Sequence, residues 1–326
     1  MNLQTEYLGL KLNSPFVVGA SPFCDNTAVA RRLQDSGAAA VVMRSLFEEQ
    51  FAPPPVPAPL VFENSTAATE NFPEHAEYQL SPDQYLRQLE NLKAHLTIPV
   101  IASLNAHRPG GWIEFARRLE SAGADAIELN FYQVVADPSI DSDQVETDML
   151  ETVGLTAGAV KIPIAVKLSP YHTAVAQLAV ALELAGAAGI VLFNRFYQPD
   201  VNPDELEVQP QLRLSDPQEL LLRLRWLAIL SPQLRGSLAA TGGIHTSNGA
   251  AKAILTGAHV VQLVSVLLKH GPHVIPTLRD GLLNWMRGHG FESLDQCRGL
   301  LNSRRCRDAS AFERANYLRT LQSWKV

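Results

Sequence analysis

Eight short apolar runs in the 326-residue chain end on, or just before, residues able to bind or react. In chain order these are Ala20 and Ser21, Arg44 and Ser45, Ser103 with Asn105, Asn130, Lys167, Asn194, Gly242 and Gly243, and Val264 followed by Ser265. The set offers two cations, three amides, several hydroxyls and a flexible glycine pair, and none of its members is acidic. That inventory suits an anionic ligand rich in hydrogen-bonding groups, with the glycine pair letting backbone N–H groups approach a phosphate. Lys167, inside Ala165-Val166-Lys167-Leu168, is the sharpest signal, because a lysine in a buried strand is costly unless it meets an anion. Each residue also has a plainer role: Asn130 and Asn194 can satisfy buried backbone groups, and the glycines can end a strand. A buried lysine can also form a Schiff base, which keeps a lyase among the classes to test. Among nine histidines, His107, His172 and His245 fall near run ends and are given no role. Cys24 reads as a small buried hydrophobe rather than a reactive thiol.

These residues need a scaffold, and a weak internal repeat supplies its outline. Four helix-like segments end in Gly-Ala and run into an apolar burst: Gly37-Ala38, Gly123-Ala124, Gly186-Ala187 and Gly257-Ala258. Glycine just past a helix adopts the left-handed conformation that closes its last turn. The bursts that follow begin at Ala40, Ala126, Ile190 and Val260, and further bursts begin at Phe16, Pro99, Pro163 and Ser237. Near-continuous apolar runs are what a parallel strand buried on both faces requires. Ser81-Pro82-Asp83-Gln84 reads as a capping box, and Asp216-Pro217-Gln218-Glu219 repeats its logic. Eight strands alternating with helices over about 250 residues predict a (β/α)8 TIM barrel. It is expected as a single domain over residues 1–326 with a C-terminal helical tail. An open doubly wound sheet is the competing architecture, but the G-x-G-x-x-G fingerprint is absent. Long connections are expected after strands 2, 4 and 6, at about 46–80, 131–142 and 195–215. In a barrel these lie on the catalytic face. The first carries the proline run 53–59, readable as a stiff lid or as a solvated extended loop.

Composition narrows the function classes. The chain has 27 Lys+Arg against 33 Asp+Glu, a formal charge of −6, and no basic run, which argues against nucleic acid or an anionic membrane as partner. Three cysteines without a C-x-x-C pair give neither a disulfide framework nor a metal site, and suit a reducing cytosol. The first residues lack the pattern of a signal peptide, and no apolar stretch is long enough to span a bilayer. A soluble, cytoplasmic protein acting on a small molecule is expected.

Several stretches resemble the dihydroorotate dehydrogenase family, closest to its soluble class 1 enzymes, over nearly the whole chain. They are Ser14-Pro15-Phe16 to Ala20-Ser21, Glu128-Leu129-Asn130, Ala165-Val166-Lys167-Leu168-Ser169-Pro170 and Ala240-Thr241-Gly242-Gly243-Ile244, with Lys269-His270-Gly271-Pro272 and Gly290-Phe291-Glu292-Ser293-Leu294. The resemblance implies an FMN-containing barrel that oxidises dihydroorotate by hydride transfer, and a possible homodimer. It implies that Lys167 faces the flavin N1/O2 edge, where its charge stabilises the reduced ring. Asn105, Asn130 and Asn194 would bind flavin and substrate. Gly242, Gly243, Val264 and Ser265 would hold the FMN phosphate, while Ala20 and Ser21 would pass the isoalloxazine. Arg44 and Ser45 complete the expected cofactor set.

The departures from the family pattern concern the substrate side. Class 1 enzymes carry a cysteine base three residues after the asparagine of the fourth strand, where this chain has Gln133. Glutamine has no usable proton-accepting pKa. Arg44 stands where a lysine is expected, and the two cations are not interchangeable. The orotate-binding Asn-x-x-Gly-Leu-x-Asn segment is missing between Leu60 and Leu80. A second glycine-rich flavin stretch is replaced by Gln211-Leu212-Arg213-Leu214-Ser215, and Pro22 stands where glycine is frequent. This pattern resembles a dihydroorotate dehydrogenase-like subgroup sharing the ending Ala311-Phe312-Glu313-Arg314-Ala315-Asn316-Tyr317. Two functions follow: an FMN oxidoreductase of a dihydropyrimidine-like substrate, or an FMN-binding paralogue without dihydroorotate turnover. Tyr132, beside Gln133, is the candidate acid or base if Lys167 or Arg44 lowers its pKa; simple packing is its other reading. Lys167, Tyr132 and Gln133 thus make up the expected catalytic group.

Overall fold

Helix ends are set where the Gly-Ala signals place them. In the computed structural model, which describes residues 1–47, 50, 80–105, 112–195, 198–209 and 212–323, Gly37, Gly123, Gly186 and Gly257 take φ values of 102°, 93°, 113° and 126°. Only glycine enters that region without steric cost. Each lets the chain leave a helix and turn directly into a strand.

The chain opens with a hairpin, β1 (Thr5–Tyr7) and β2 (Leu10–Leu12). There follow β3 (Phe16–Val18), α1 (Thr27–Asp35), β4 (Ala40–Phe47), α2 (Pro82–His95), β5 (Val100–Asn105), α3 (Trp112–Ser121), β6 (Ala126–Asn130), α4 (Ser142–Ala159), β7 (Ile164–Leu168), α5 (Val175–Leu184) and β8 (Gly189–Leu192). A second hairpin, β9 (Asp200–Asn202) and β10 (Glu207–Gln209), precedes α6 (Leu220–Leu230), β11 (Ser237–Thr241), α7 (Ser247–Thr256), β12 (Val260–Leu263), α8 (Ser265–His270) and α9 (Val274–Gly288). Two more helices, α10 (Leu294–Cys297) and α11 (Ala315–Gln322), form the tail. Eight strands, β3 to β8 with β11 and β12, pair in parallel and close in the order β11-β12-β3-β4-β5-β6-β7-β8. This is the (β/α)8 barrel that the alternation predicts.

The predicted capping box is formed: Ser81 Oγ accepts from Gln84 N–H, and the Gln84 side chain accepts from Ser81 N–H at 2.7 Å. Asp216 differs. It caps a 3-10 turn, Pro217–Glu219, and that turn leads into α6. The connection 195–215 is also not a bare loop, since it holds the β9–β10 hairpin. The connection after β6 is irregular until Asp141 caps α4. The connection after β4, with its proline run, falls almost wholly outside the described residues, as does His107.

Side chains alternate across each strand. One set faces the helices and joins the large outer core, with Ile127, Leu129, Val166, Leu168, Ile190 and Leu192 among its members. The other set faces the barrel axis. Val17, Val42, Ile101, Ala126, Ala165, Val191, Ala239 and Val260 form an apolar layer there, on which Tyr7, Leu8 and Leu12 of the first hairpin also pack. Leu8 and Gly9 take φ values of 55° and 76°, as a two-residue hairpin turn demands. Leu8 N–H donates to Ser237 Oγ at 2.9 Å, which docks the turn at the start of β11. The hairpin therefore closes the N-terminal end of the barrel.

Close approach at this seal requires Gly189. A Cβ there would stand 2.6 Å from Leu8 Cδ2 and 2.9 Å from the Ser237 carbonyl oxygen. Leucine can shift but the carbonyl is held in the sheet. Gly189→Ala is expected to destabilise the fold by about 1–3 kcal/mol, as overpacking does, measured as a lower denaturant midpoint at unchanged slope. An unchanged midpoint would show that the seal is loose.

Candidate functional site

Alternation carries the inward lanes upward from the apolar layer to a polar one. Two residues beyond Ile101, Ala126, Ala165, Ala239 and Val260 come Ser103, Glu128, Lys167, Thr241 and Gln262. Strand register then sets their neighbours: Ser45 lies beside Ser103, Ser103 beside Glu128, Asn130 beside Lys167, and Thr241 beside Gln262. Lys167 is 6% exposed and Glu128 is fully buried. The Lys167 ammonium Nζ lies 3.4 Å from Glu128 Oε1. Glu128 Oε2 accepts a hydrogen bond from Gln262 Nε2 at 2.7 Å. The expectation of a site without acids is thereby corrected. The anion that compensates the buried lysine sits one step lower on the neighbouring strand.

Amides and hydroxyls form a continuous chain around one side of this layer. Ser103 N–H donates to the Tyr85 hydroxyl at 2.9 Å, and that hydroxyl donates to the Ser103 carbonyl at 3.1 Å. Ser103 Oγ and Ser45 Oγ are 2.8 Å apart. Asn130 Nδ2 donates to Ser45 Oγ at 3.3 Å, and Asn194 Nδ2 donates to Asn130 Oδ1 at 2.9 Å. The chain fixes both asparagine amides in one orientation and links the ends of β4, β5, β6 and β8. Asn105, at the end of β5, is buried close to this group in sequence.

A cleft opens over the other side. Its walls come from Ala20, Lys167, Phe193, Asn194, Arg195, Ser215, Thr241, Gly242, Gly243, Ile244, Gln262, Val264 and Ser265. It therefore gathers Ala20, Lys167, Asn194, Gly242, Gly243, Val264 and Ser265 from the residues predicted to bind a cofactor. Small side chains make the room. A Cβ on Gly19 would meet Val264 Cγ2 at 2.8 Å, so the chain just past β3 can approach Val264 this closely only at a glycine. Gly242 and Gly243 take φ values of 86° and 81°. At Gly243 a Cβ would lie 2.5 Å from the Leu220 backbone nitrogen, so this glycine also permits α6 to dock. Ser215 spans the gap: its N–H donates to Ser265 Oγ at 2.9 Å, its Oγ accepts from Gly243 N–H at 3.2 Å, and Lys269 Nζ donates to its carbonyl at 3.1 Å.

Other predicted residues lie outside that wall. The β4–β5 register shifts between Val42 and Ser45, and Arg44 makes an ion pair with Asp25. A bulge re-aims the side chain it carries. Burial pushes the Asp25 carboxyl above the usual range, and the Arg44 guanidinium opposes that shift. Ser21 Oγ donates to the Gly19 carbonyl at 2.9 Å. Tyr132 and Gln133 are half-buried at the start of the irregular connection after β6. Cys24 is buried, its Sγ donates to the Val42 carbonyl at 3.5 Å, and burial pushes its thiol up to about 12, which keeps it protonated and inert.

Sequence reasoning missed Glu128, Gln262, Ser215 and Arg195. Glu128 and Gln262 carry the signal that flagged Lys167, a polar residue inside an apolar run. Their period-2 relation to Ala126 and Val260 below them would have placed them on the axis. Arg195 is held by Glu219, whose Oε1 is 3.8 Å from Nη2; the buried Arg223 reaches the same carboxylate at 3.6 Å.

Comparison with known proteins shows the family. The sequence pattern of the family described as dihydroorotate dehydrogenase matches residues 2–286. Over 325 residues the chain is 26% identical to the NAD-dependent dihydropyrimidine dehydrogenase subunit PreA of Escherichia coli (strain K12), covering 93% of this chain and 77% of that protein. It is 25% identical over 321 residues to the dihydroorotate dehydrogenase B (NAD(+)) catalytic subunit of Thermoplasma volcanium, covering 92% and 98% of the two chains. The protein of the same name from Methanothermobacter thermautotrophicus is 26% identical over 308 residues, covering 91% and 98%. With its closed barrel and a pattern match spanning most of its length, the chain belongs to the dihydroorotate dehydrogenase family.

Proposed function

We propose that the protein is an FMN-dependent oxidoreductase that takes hydride from a dihydropyrimidine-like substrate. The observation that carries this reading is the convergence of Lys167, Asn194 and the Gly242-Gly243 pair on one cleft at the strand ends. The donor set fits a flat nucleotide with polar edges. Gly242 and Gly243 line the cleft with backbone in the left-handed region. Gln262 Oε1, on the cleft wall, is a buried acceptor without a hydrogen-bond partner among the described residues.

FMN, when bound, supplies a two-electron acceptor for the substrate hydride. Lys167 would hold its positive charge toward the pyrimidine end of the ring. Ala20 and Val264 would line its passage, and Gly242, Gly243 and Ser265 would hold the phosphate. Asn130 and Asn194, locked by their mutual hydrogen bond, would present amide groups of fixed polarity to ring and substrate. Their orientation is set before any ligand arrives, which reduces the ordering cost of binding.

Proton removal is the weak part of the machinery. Gln133 stands where class 1 relatives place a thiolate, and an amide cannot take up a proton there. This favours a second reading, an FMN-binding paralogue that turns over another substrate or acts as a non-catalytic partner. Relatives named for dihydroorotate and for dihydropyrimidine both match the chain, and both substrate classes suit a cleft of amides with two cations, Lys167 and Arg195.

Purified protein incubated with FMN is expected to retain one flavin per chain, seen by native mass spectrometry and by a shifted flavin absorption band. A protein that stays colourless overturns the FMN reading. Anaerobic dihydroorotate is expected to reduce the bound flavin slowly in the wild type. Gln133→Cys should then raise that rate by about 10²-fold, the usual contribution of a general base. Equal rates in both proteins would place proton removal elsewhere. Lys167→Met is expected to weaken FMN retention, measured as an increased dissociation constant in a fluorescence titration.

A further inference from the structure

One buried acid has no part in the chemistry so far. Glu128 is wholly enclosed within the barrel, and its two oxygens face different partners: Lys167 Nζ at 3.4 Å and Gln262 Nε2 at 2.7 Å. Gln262 is 1% exposed, lines the cleft as a residue, and commits its Nε2 to Glu128. A carboxylate or an ammonium alone at this depth pays a heavy desolvation cost, and each relieves the other only while the geometry is kept. The layer directly below offers no charged partner among the described residues, since it consists of alanine, valine and isoleucine side chains and the sealing hairpin, whose Tyr7 brings a neutral hydroxyl.

Resting on the FMN reading above, we propose that Glu128, bracketed by Gln262, is a positioning residue for Lys167. It keeps the ammonium charged in a dry environment and fixes it at the floor of the cleft, where the ring edge of the cofactor would meet it. Gln262 supplies the bracket: it pins one carboxylate oxygen so that the other faces the lysine. The ligand then meets an ammonium backed by a carboxylate 3.4 Å away.

Few other ionisable groups surround the pair. Tyr7 approaches from the sealing hairpin, and burial together with the Glu128 charge pushes its hydroxyl well above the ordinary range, so it stays neutral. Arg195, past the end of β8, turns toward Glu219, and Arg44 on β4 is paired with Asp25. Lys269 on α8 is engaged with the Ser215 carbonyl. The adjacent strands bring Ser103, Asn130 and Thr241, none of which titrates in the relevant range.

The test uses the full chain labelled with 13C at lysine Cε, with the Lys167 resonance identified by its loss in Lys167→Met. In the FMN-free protein, Glu128→Gln should lower the pH at which Lys167 deprotonates by about one unit or more, because burial stays while the counterion is lost. Glu128→Asp, which keeps the charge, should remain near the wild type. With FMN added, the dissociation constant of Glu128→Gln should rise by about tenfold per unit of pH above the shifted midpoint. The wild type should be flat over the same range. An unchanged Lys167 titration in Glu128→Gln overturns the proposal. So does a lowered titration with an FMN affinity that follows the wild-type profile. Failure of the wild type to bind FMN at all would instead sink the functional reading, and the lysine titration alone would then decide the pairing. If Glu128→Gln does not fold, the double variant Glu128→Gln/Lys167→Met decides: a cooperative melting transition regained by the double variant supports the pair, and a double variant that also fails to fold overturns it.

Discussion

A charge placed inside a closed barrel has only other barrel residues to answer it. This constraint organises the centre of the molecule, where Lys167 and Glu128 meet with side chains 8% and 1% exposed. The parallel register makes the meeting possible, because Asn130 rather than Glu128 stands directly beside Lys167. The acid thus sits one pleat lower, and the ammonium is answered from beneath while its other side borders the cleft. Alanine and valine below, and hydrogen-bonded amides beside, leave this pair as the transition between a dry floor and a polar mouth.

The surrounding polar groups follow the same logic of prior commitment. Tyr85, Ser103, Ser45, Asn130 and Asn194 use one another as donors and acceptors, so the amides are oriented by the protein itself. Ser215 performs a comparable task on the opposite side, bridging the ends of β11 and β12 through Gly243 and Ser265. The glycine pair has two independent reasons to be glycine. One is the left-handed backbone, and the other is the close packing of Leu220 at the start of α6. A glycine near a cleft is therefore not by itself a mark of ligand binding.

How much of this was legible from the residues alone depended on whether the signal was local. The barrel was readable because glycine at the helix ends and apolar bursts after it are local devices, and all eight expected strands form. The cleft was readable in outline because its members follow those bursts. Glu128 and Gln262 stand inside bursts that were read for their apolar residues, and only alternation relative to Ala126 and Val260 below shows that they share the axis with Lys167. Arg44 could not be placed, because the register shift before Ser45 breaks the alternation, and its partner Asp25 lies in a different element. The β9–β10 hairpin was read as loop, since Asp200–Asn202 and Glu207–Gln209 are short, exposed and mostly polar.

The hairpin at the chain's beginning links both ends of the sequence in a way that bears on assembly. Its turn is held by Ser237, the Thr5 hydroxyl donates to the His259 carbonyl at 3.0 Å, and Arg298 donates to that hydroxyl at 2.8 Å. On a ribosome the stopper emerges before the segments that make the socket receiving it. Contacts of such long sequence separation are slow to form. Closure of the barrel around the hairpin requires β11 and β12, the first of which begins 229 residues beyond Leu8.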